Sequence, residues 1–264
     1  MNNLASIKTA DLLTDNDVAK FICNGYHLIE LDLPEGLNET IADKLDQLDH
    51  NPGDAILSEI EELQDVVNST QTQGAMISLL GLDYQLNGHR HWHCKPPHSP
   101  YMNWHQDGRN RRNKSIDRCL GLYYPRDIRP DMGPTVIVPG THFRNCPTDR
   151  MSHYTNIRGQ VPITVKAGTL AITHYDLWHG TAANTSDVSR HMIKFLFNRQ
   201  SPNTAATWNH NPDHEAPLDW NPGNKLQTVD QISTFDNPLS CSQSDHYKER
   251  SIRQKCWEEL LGNP

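Results

Sequence analysis

Two tripeptides in this chain carry the residue types of a metal site, His105-Gln106-Asp107 and His174-Tyr175-Asp176. On a β-strand, residues i and i+2 share a face, so each tripeptide can offer an imidazole and a carboxylate to one point. A second histidine from another strand completes the two-histidine, one-carboxylate set that holds Fe(II) with coordination positions open. The tripeptide alone is weak evidence. Histidine fills 15 of 264 positions, about two to three times an average share. At that abundance about one such tripeptide arises by chance. Context separates the two. Downstream of the first lie His179 and Arg190, and Arg190 opens the apolar run His191-Met192-Ile193-Lys194-Phe195-Leu196-Phe197. A guanidinium on such a strand can grip a carboxylate through two parallel hydrogen bonds. For the second tripeptide the available partners are His210, His214 and His246, in turn-rich or helical sequence with no basic residue on a following strand. The first tripeptide with His179 is the stronger metal site.

Strands must hold these residues, and the chain supplies them in its second part. Thr14 precedes Asp15, Asp17, Val18, Phe21 and Ile22 as the N-cap of a helix that Asn24-Gly25 closes. Tyr26–Leu31 alternates as a strand, and Leu37–Leu48 and Ile56–Val67 carry helical spacing. From about Leu86 the texture changes to short strand-like segments separated by Pro, Gly and Asn: Leu86–Cys94, Cys119–Tyr124, Thr135–Val138, Gln160–Val165, Thr169–His174 and Arg190–Asn198. That pattern predicts a mainly β fold with flanking helices, closed as a jelly roll. One domain is expected over 1–264, with N-terminal helices at about 10–70, a jelly-roll core at about 85–200 and a loop-rich extension at 200–264. Asn-Pro turns dominate the extension until a terminal helix at Asp245–Leu261.

The motifs in order are Lys95-Pro96-Pro97, Trp104-His105-Gln106-Asp107-Gly108, Gly133 through His142, Ala167-Gly168-Thr169-Leu170 and His179-Gly180-Thr181. Together they resemble the phytanoyl-CoA dioxygenase family of Fe(II)/2-oxoglutarate-dependent oxygenases. The resemblance runs from about Thr14 to Phe197. It implies a double-stranded β-helix of cupin type and an EC 1.14.11-type dioxygenase with Fe(II), 2-oxoglutarate and O2. It also implies His105, Asp107 and His179 as iron ligands and catalytic centre, and Arg190 pairing the far carboxylate of 2-oxoglutarate. Thr181 falls where relatives place a hydroxyl near the cosubstrate. Relatives that halogenate lack the ligand carboxylate, so the retained Asp107 implies oxygenation of a C–H bond.

The strand His89-Arg90-His91-Trp92-His93-Cys94-Lys95 places His89, His91, His93 and Lys95 on one face. Beside an iron site, His93 is a 2-oxoglutarate contact and His89 and His91 are substrate contacts, together with Met102, Trp104, Arg109 and Arg111. An alternative reading makes His89, His91 and His93 a zinc or cupin-type metal site, and a second alternative is a non-catalytic jelly-roll binding module. The run Arg109-Asn110-Arg111-Arg112-Asn113-Lys114 concentrates positive charge just after the metal strand, which points to a small, anionic metabolite as substrate.

Composition sets the outer limits. Lys and Arg number 24 against 32 Asp and Glu, a net charge of −8, which argues against broad nucleic-acid binding. There is no apolar run of about 18 residues and no basic, apolar leader at the start, so neither a membrane partner nor secretion is expected. The 6 cysteines are scattered, which suits reduced thiols and a cytoplasmic location.

Overall fold

A computed structural model describes residues 7–108, 115–144, 150–151, 156–157, 159–213, 220 and 243–263. The first helix, α1 (Asp15–Asn24), begins as the sequence predicts. Thr14 accepts the Asp17 N–H at 3.3 Å, and the Asp17 carboxylate accepts the Thr14 N–H at 3.2 Å. Gly25 closes it at φ 79°, a left-handed conformation that suits glycine. The His142 ring donates from Nε2 to the Ile22 carbonyl at 3.0 Å, meeting one of the carbonyls the helix end leaves open. The next helix, α2 (Leu37–Gln47), also follows its predicted spacing.

The third predicted helix is a correction. The span Ile56–Val67 divides into α3 (Ile56–Glu59) and α4 (Leu63–Asn68). Ile56, Ile60, Leu63 and Val66 are all buried, so the apolar spacing was sound, but Ile60 leaves the helical region at φ −127° and the chain turns before restarting. A further helix, α5 (Thr70–Leu80), has no counterpart in the sequence reading. Every residue from Thr72 to Leu80 is buried, so it lacks the polar face that makes helical period visible. The helical region therefore extends to 80.

Ten strands follow among the described residues: β1 (Tyr26–Glu30), β2 (Gln85–Lys95), β3 (Met102–His105), β4 (Arg118–Tyr124), β5 (Thr135–Ile137), β6 (Arg150–Met151), β7 (Val161–Pro162), β8 (Thr169–His174), β9 (His179–Thr181) and β10 (Arg190–Asn198). They form two antiparallel sheets, ordered β1-β8-β4-β10-β2 and β6-β3-β9-β5-β7. This is the jelly-roll architecture of the double-stranded β-helix. The expected strand Gln160–Val165 shrinks to β7, where Pro162 has no N–H to give a ladder.

Alternation sorts the core into layers. Cys119, Tyr123, Leu170, Ile172, Ile193, Phe195 and Phe197 face outward from the larger sheet and pack under the helices. Leu120, Leu122, Tyr124, Ala171, Met192 and Leu196 face inward, against Ile137 of the smaller sheet and Leu177 beside it. Trp104, Val136, Val138 and Trp178 form a third cluster with Ile157 on the far side of the smaller sheet.

The described part of the C-terminal region packs back on the start of the chain. Asp15 is buried and accepts from Trp208 Nε1 at 2.7 Å, His210 Nδ1 at 2.7 Å and the Asn211 N–H at 2.9 Å. The last helix, α6 (Gln243–Leu260), brings Trp257 to 5.3 Å from Trp208 and 5.8 Å from Trp220. The turns Asn221-Pro222 and Asn237-Pro238 lie outside the described residues. No helix among the described residues is long and apolar enough to cross a membrane.

Candidate active site

His105 ends β3 and His179 begins β9, and the antiparallel register sets them directly opposite each other. Their rings lie 4.2 Å apart between centroids. Asp107 stands between them, with Oδ1 at 3.9 Å from His105 Nε2 and Oδ2 at 3.8 Å from His179 Nε2. One ligand atom from each of the three lies within 4.8 Å of the others. Both imidazoles are held in the same way. His105 Nδ1 contacts the Asn103 carbonyl at 2.9 Å, and His179 Nδ1 contacts the Leu177 carbonyl at 2.9 Å. A carbonyl only accepts, so Nδ1 carries the proton in each ring and Nε2 keeps its lone pair for the centre.

Asp107 is held from the opposite sheet. Lys194 reaches across from β10 and donates to Asp107 Oδ2 at 3.2 Å. Burial alone would raise the Asp107 carboxyl, but His179, Lys194 and His105 outweigh it and hold it below the ordinary carboxylate range. Gln106, between the two ligand positions, donates to the carbonyls of Arg144 and Asp176, each at 2.8 Å. Gly108 comes next, packed against Asp176: a Cβ there would stand 2.0 Å from Asp176 Oδ1, so the carboxylate would have to move.

A second group of polar atoms lies deeper between the sheets. Arg190 is fully buried, and its Nη2 donates to the Gly133 carbonyl at 3.1 Å while Nε and Nη1 have no partner. Thr181 Oγ1 and His93 Nε2 are likewise buried without a partner. Register brings them onto common faces: Arg190 pairs with Lys95, Met192 with His93 and Lys194 with His91, while Thr181 pairs with Thr135. Tyr124 donates to Thr135 Oγ1 at 3.0 Å and lies beside Arg190. Burial, followed by the charges of Lys194 and Arg190, pushes His93 down to about 3, so the ring is neutral at pH 7. Buried donors left open by the protein are costly, and a carboxylate ligand would satisfy them.

A family model for phytanoyl-CoA dioxygenase (PhyH) matches residues 36–192, more than half of the chain. The chain belongs to the phytanoyl-CoA dioxygenase family. It is a 2-oxoglutarate-dependent non-haem iron dioxygenase whose cofactor is Fe(II) and whose cosubstrates are 2-oxoglutarate and O2. No curated protein matches the chain by sequence. Among solved structures it is similar to HygX from Streptomyces hygroscopicus with nickel and 2-oxoglutarate bound, at 17% identity and TM-score 0.60, covering 70% of this chain and 86% of that one. It is also similar to the carbocyclase SnoK of nogalamycin biosynthesis, at 20% identity and TM-score 0.58, covering 73% of this chain and 87% of SnoK. EctD from S. alaskensis with 2-oxoglutarate and 5-hydroxyectoine is a third, at 16% identity and TM-score 0.59, covering 75% of this chain and 80% of EctD. At these identities the likeness shows the fold.

The dioxygenase places the remaining sequence-predicted residues unevenly. Met102 pairs with Thr181 and is partly exposed at the rim. Trp104 is a correction: it is buried in the cluster on the far side of the smaller sheet, so it packs that sheet and does not line the cleft. The reason is alternation: Trp104 is next to His105 and so faces the other way, while a register irregularity between Met102 and His105 lets those two share a face. The His89 and His91 rings lie 4.2 Å apart between centroids at a tilt of 54°, and Asp54 completes a three-ligand group with them; His93 is not in it, which corrects the triple-histidine alternative. Arg109 and Arg111 lie outside the described residues. Sequence reasoning missed Lys194, although a lysine within an otherwise apolar strand, four residues after Arg190, was the available signal.

Proposed function

We propose that this dioxygenase oxidises a C–H bond of a small, carboxylate-bearing metabolite, with His105, Asp107 and His179 holding Fe(II) and Arg190, Thr181 and His93 holding 2-oxoglutarate. The observation that carries this reading is the set of buried, unpartnered atoms: Arg190 Nε and Nη1, Thr181 Oγ1 and His93 Nε2. They stand on strands adjoining a His-Asp-His group whose donors suit Fe(II). When bound, iron and 2-oxoglutarate supply an oxidative decarboxylation, releasing succinate and CO2 while O2 oxygenates the substrate.

The protein's own residues prepare that chemistry. The Asn103 and Leu177 carbonyls fix the tautomer and tilt of the two ligand rings. Lys194 fixes the Asp107 carboxylate by its Oδ2 oxygen. Arg190 is held by the Gly133 carbonyl, which leaves two N–H directions for the far carboxylate of 2-oxoglutarate. Neutral His93 adds a hydrogen-bonding group without further charge. Met192, Leu122 and Ile137 line the layer between the sheets and keep water from the buried end.

Lys95, Arg190 and Lys194 on the paired strands β2 and β10, with Arg109 and Arg111 following Gly108 in sequence, support an anionic substrate. Met102 at the rim and His91 beside Lys194 are its further contacts, with His89 beyond them. Oxygenation gives an alcohol, or dealkylation where the attacked carbon bears nitrogen or oxygen. The reduced thiols Cys23, Cys94, Cys119 and Cys256 support a cytoplasmic location. The packing of α6 on α1 supports one working domain over 1–264.

The test is a metabolite library assayed with Fe(II) and 2-oxoglutarate for stimulated succinate formation. Stimulation by carboxylates, lost in Asp107→Ala, is the expected result. Stimulation by neutral or cationic compounds alone would overturn the substrate class, and undiminished succinate in Asp107→Ala would overturn the site.

A further inference from the structure

At the end of β2 away from Lys95, His89 and His91 meet a turn that packs against the strand. Asp54 sits in a 3-10 turn, Gly53–Ala55, lying against β2. One ligand atom each from Asp54, His89 and His91 falls within 4.8 Å of the others. We propose that these three side chains form a second metal site, for a divalent transition-metal ion such as Zn2+, at the outer end of the cleft.

The donor set argues for the ion's class. Two imidazoles and one carboxylate suit zinc, nickel, cobalt or copper, whereas calcium and magnesium take oxygen ligands. His91 Nε2 and His89 Nδ1 are 3.2 Å apart. Two nitrogens sharing a tetrahedral zinc at roughly 2.0–2.1 Å stand about 3.3 Å from each other, so the pair already has the spacing of common ligands. The rings reach this spacing because alternate residues of β2 share a face.

Support around the ligands is also in place. Asp54 Oδ1 accepts the Arg90 N–H at 3.0 Å, from the residue between the two histidines, which fixes the carboxylate against the strand. Asn51 Nδ2 donates to the Trp92 carbonyl at 2.8 Å and its Oδ1 accepts the Gly53 N–H at 2.9 Å, tying the turn to β2 on its other side. The backbone of His89 is held in turn by Asn87 Oδ1 at 2.9 Å. Asp54 and His89 are exposed and His91 partly so, so an ion can enter from solvent and keep water in its remaining positions.

The site shares no ligand with His105, Asp107 and His179, and it gives His89 and His91 to an ion in place of direct contact with substrate, so it stands or falls apart from the proposed iron centre. Isothermal titration of the metal-free full chain with Zn2+ alone tests it. In an Asp107→Ala/His179→Ala background the expected stoichiometry is one ion per chain. Adding His89→Ala and His91→Ala should abolish that binding, and adding Asp54→Asn instead should weaken it at least tenfold. Zinc-edge absorption spectra of the one-ion form should show two imidazole ligands. Absence of binding in the first background, or binding that survives loss of both histidines, overturns the proposal. In the otherwise native chain, loss of only one of two ions on removing His89 and His91 keeps the two sites distinguishable.

Discussion

The two His-x-Asp tripeptides have the same residue types at the same spacing, yet the fold gives them opposite environments. In His105-Gln106-Asp107, the first ring donates to a backbone carbonyl and turns Nε2 towards Asp107 and His179. In His174-Tyr175-Asp176, the ring is buried on the other sheet, packs 5.0 Å from His142, and uses Nδ1 to accept the Asp176 N–H at 3.1 Å. That nitrogen is occupied by its own loop. Burial pushes His174 down to about 4 and Asp176 up to about 6, so both are driven towards neutrality, whereas Asp107 is held as an anion. The motif proposes a metal; the groups across the sheet decide it.

The two are also mechanically joined. The Asp176 carbonyl accepts from Gln106, and the Asp176 carboxylate stands where a Gly108 side chain would be. The second tripeptide is therefore a brace for the first. Behind it, Arg144, whose carbonyl is the other acceptor for Gln106, donates to Glu249 of α6 at 3.0 Å, and fully buried Arg253 donates to Glu249 at 3.3 Å. In this way the C-terminal helix supports the ligand strand.

The largest expected effect separates ligand from brace. His105→Ala, Asp107→Ala or His179→Ala should abolish succinate formation, while Asp176→Asn should retain it within roughly tenfold. Equal losses in both tripeptides would erase the distinction. Next, Arg190→Ala should raise the KM for 2-oxoglutarate by ~30-fold or more, since a buried charged partner costs ~2 kcal/mol or more to remove; an unaltered KM would exclude the residue from cosubstrate binding. Arg190→Lys should fall between, because an ammonium cannot reproduce the forked contact.

Smaller effects test the brace itself. Gly108→Ala should lower stability by about 1–3 kcal/mol in thermal unfolding, because its Cβ has no room beside Asp176. Asp176 also predicts a pH dependence. Its folded-state pKa is raised to about 6, so the folded chain holds this proton more tightly than the unfolded chain. Its contribution is complete below the unfolded carboxyl value and is lost as pH rises through about 6. Denaturant unfolding should show a decline over that window of the order of 2 kcal/mol relative to Asp176→Asn. A curve parallel to that of the variant would mean the carboxyl is not desolvated.

Much of the site was legible from residue types in a fixed order along the chain. Arg190 sits on a strand whose period is readable, whereas the short β3 and β9 that carry His105 and His179 were not predicted and Asp107 lies just past β3. These three were legible through the His-x-Asp spacing and a motif order that matched the family. Trp104 was misread although alternation turns it away from its neighbour His105; only Met102 owes its place on the His105 face to the register irregularity, which local sequence does not mark. Asp54 was invisible because nothing near it encodes its docking on β2, where Asn51 reaches the Trp92 carbonyl and the Asp54 carboxylate reaches the Arg90 backbone N–H. The helix α5 escaped for the opposite reason, its burial on all sides removing any period. The histidine excess resolves in part into structure: His142 caps α1, His191 links Trp92 to Asp46, and His210 binds Asp15.

The central claim is that the first tripeptide, and not the second, builds the iron and 2-oxoglutarate site. Anaerobic addition of Fe(II) and 2-oxoglutarate gives a visible charge-transfer band when both bind together. The band is expected in the native chain and in Asp176→Asn, and is expected to be lost in Asp107→Ala. A band that persists in Asp107→Ala and disappears in Asp176→Asn would contradict the claim.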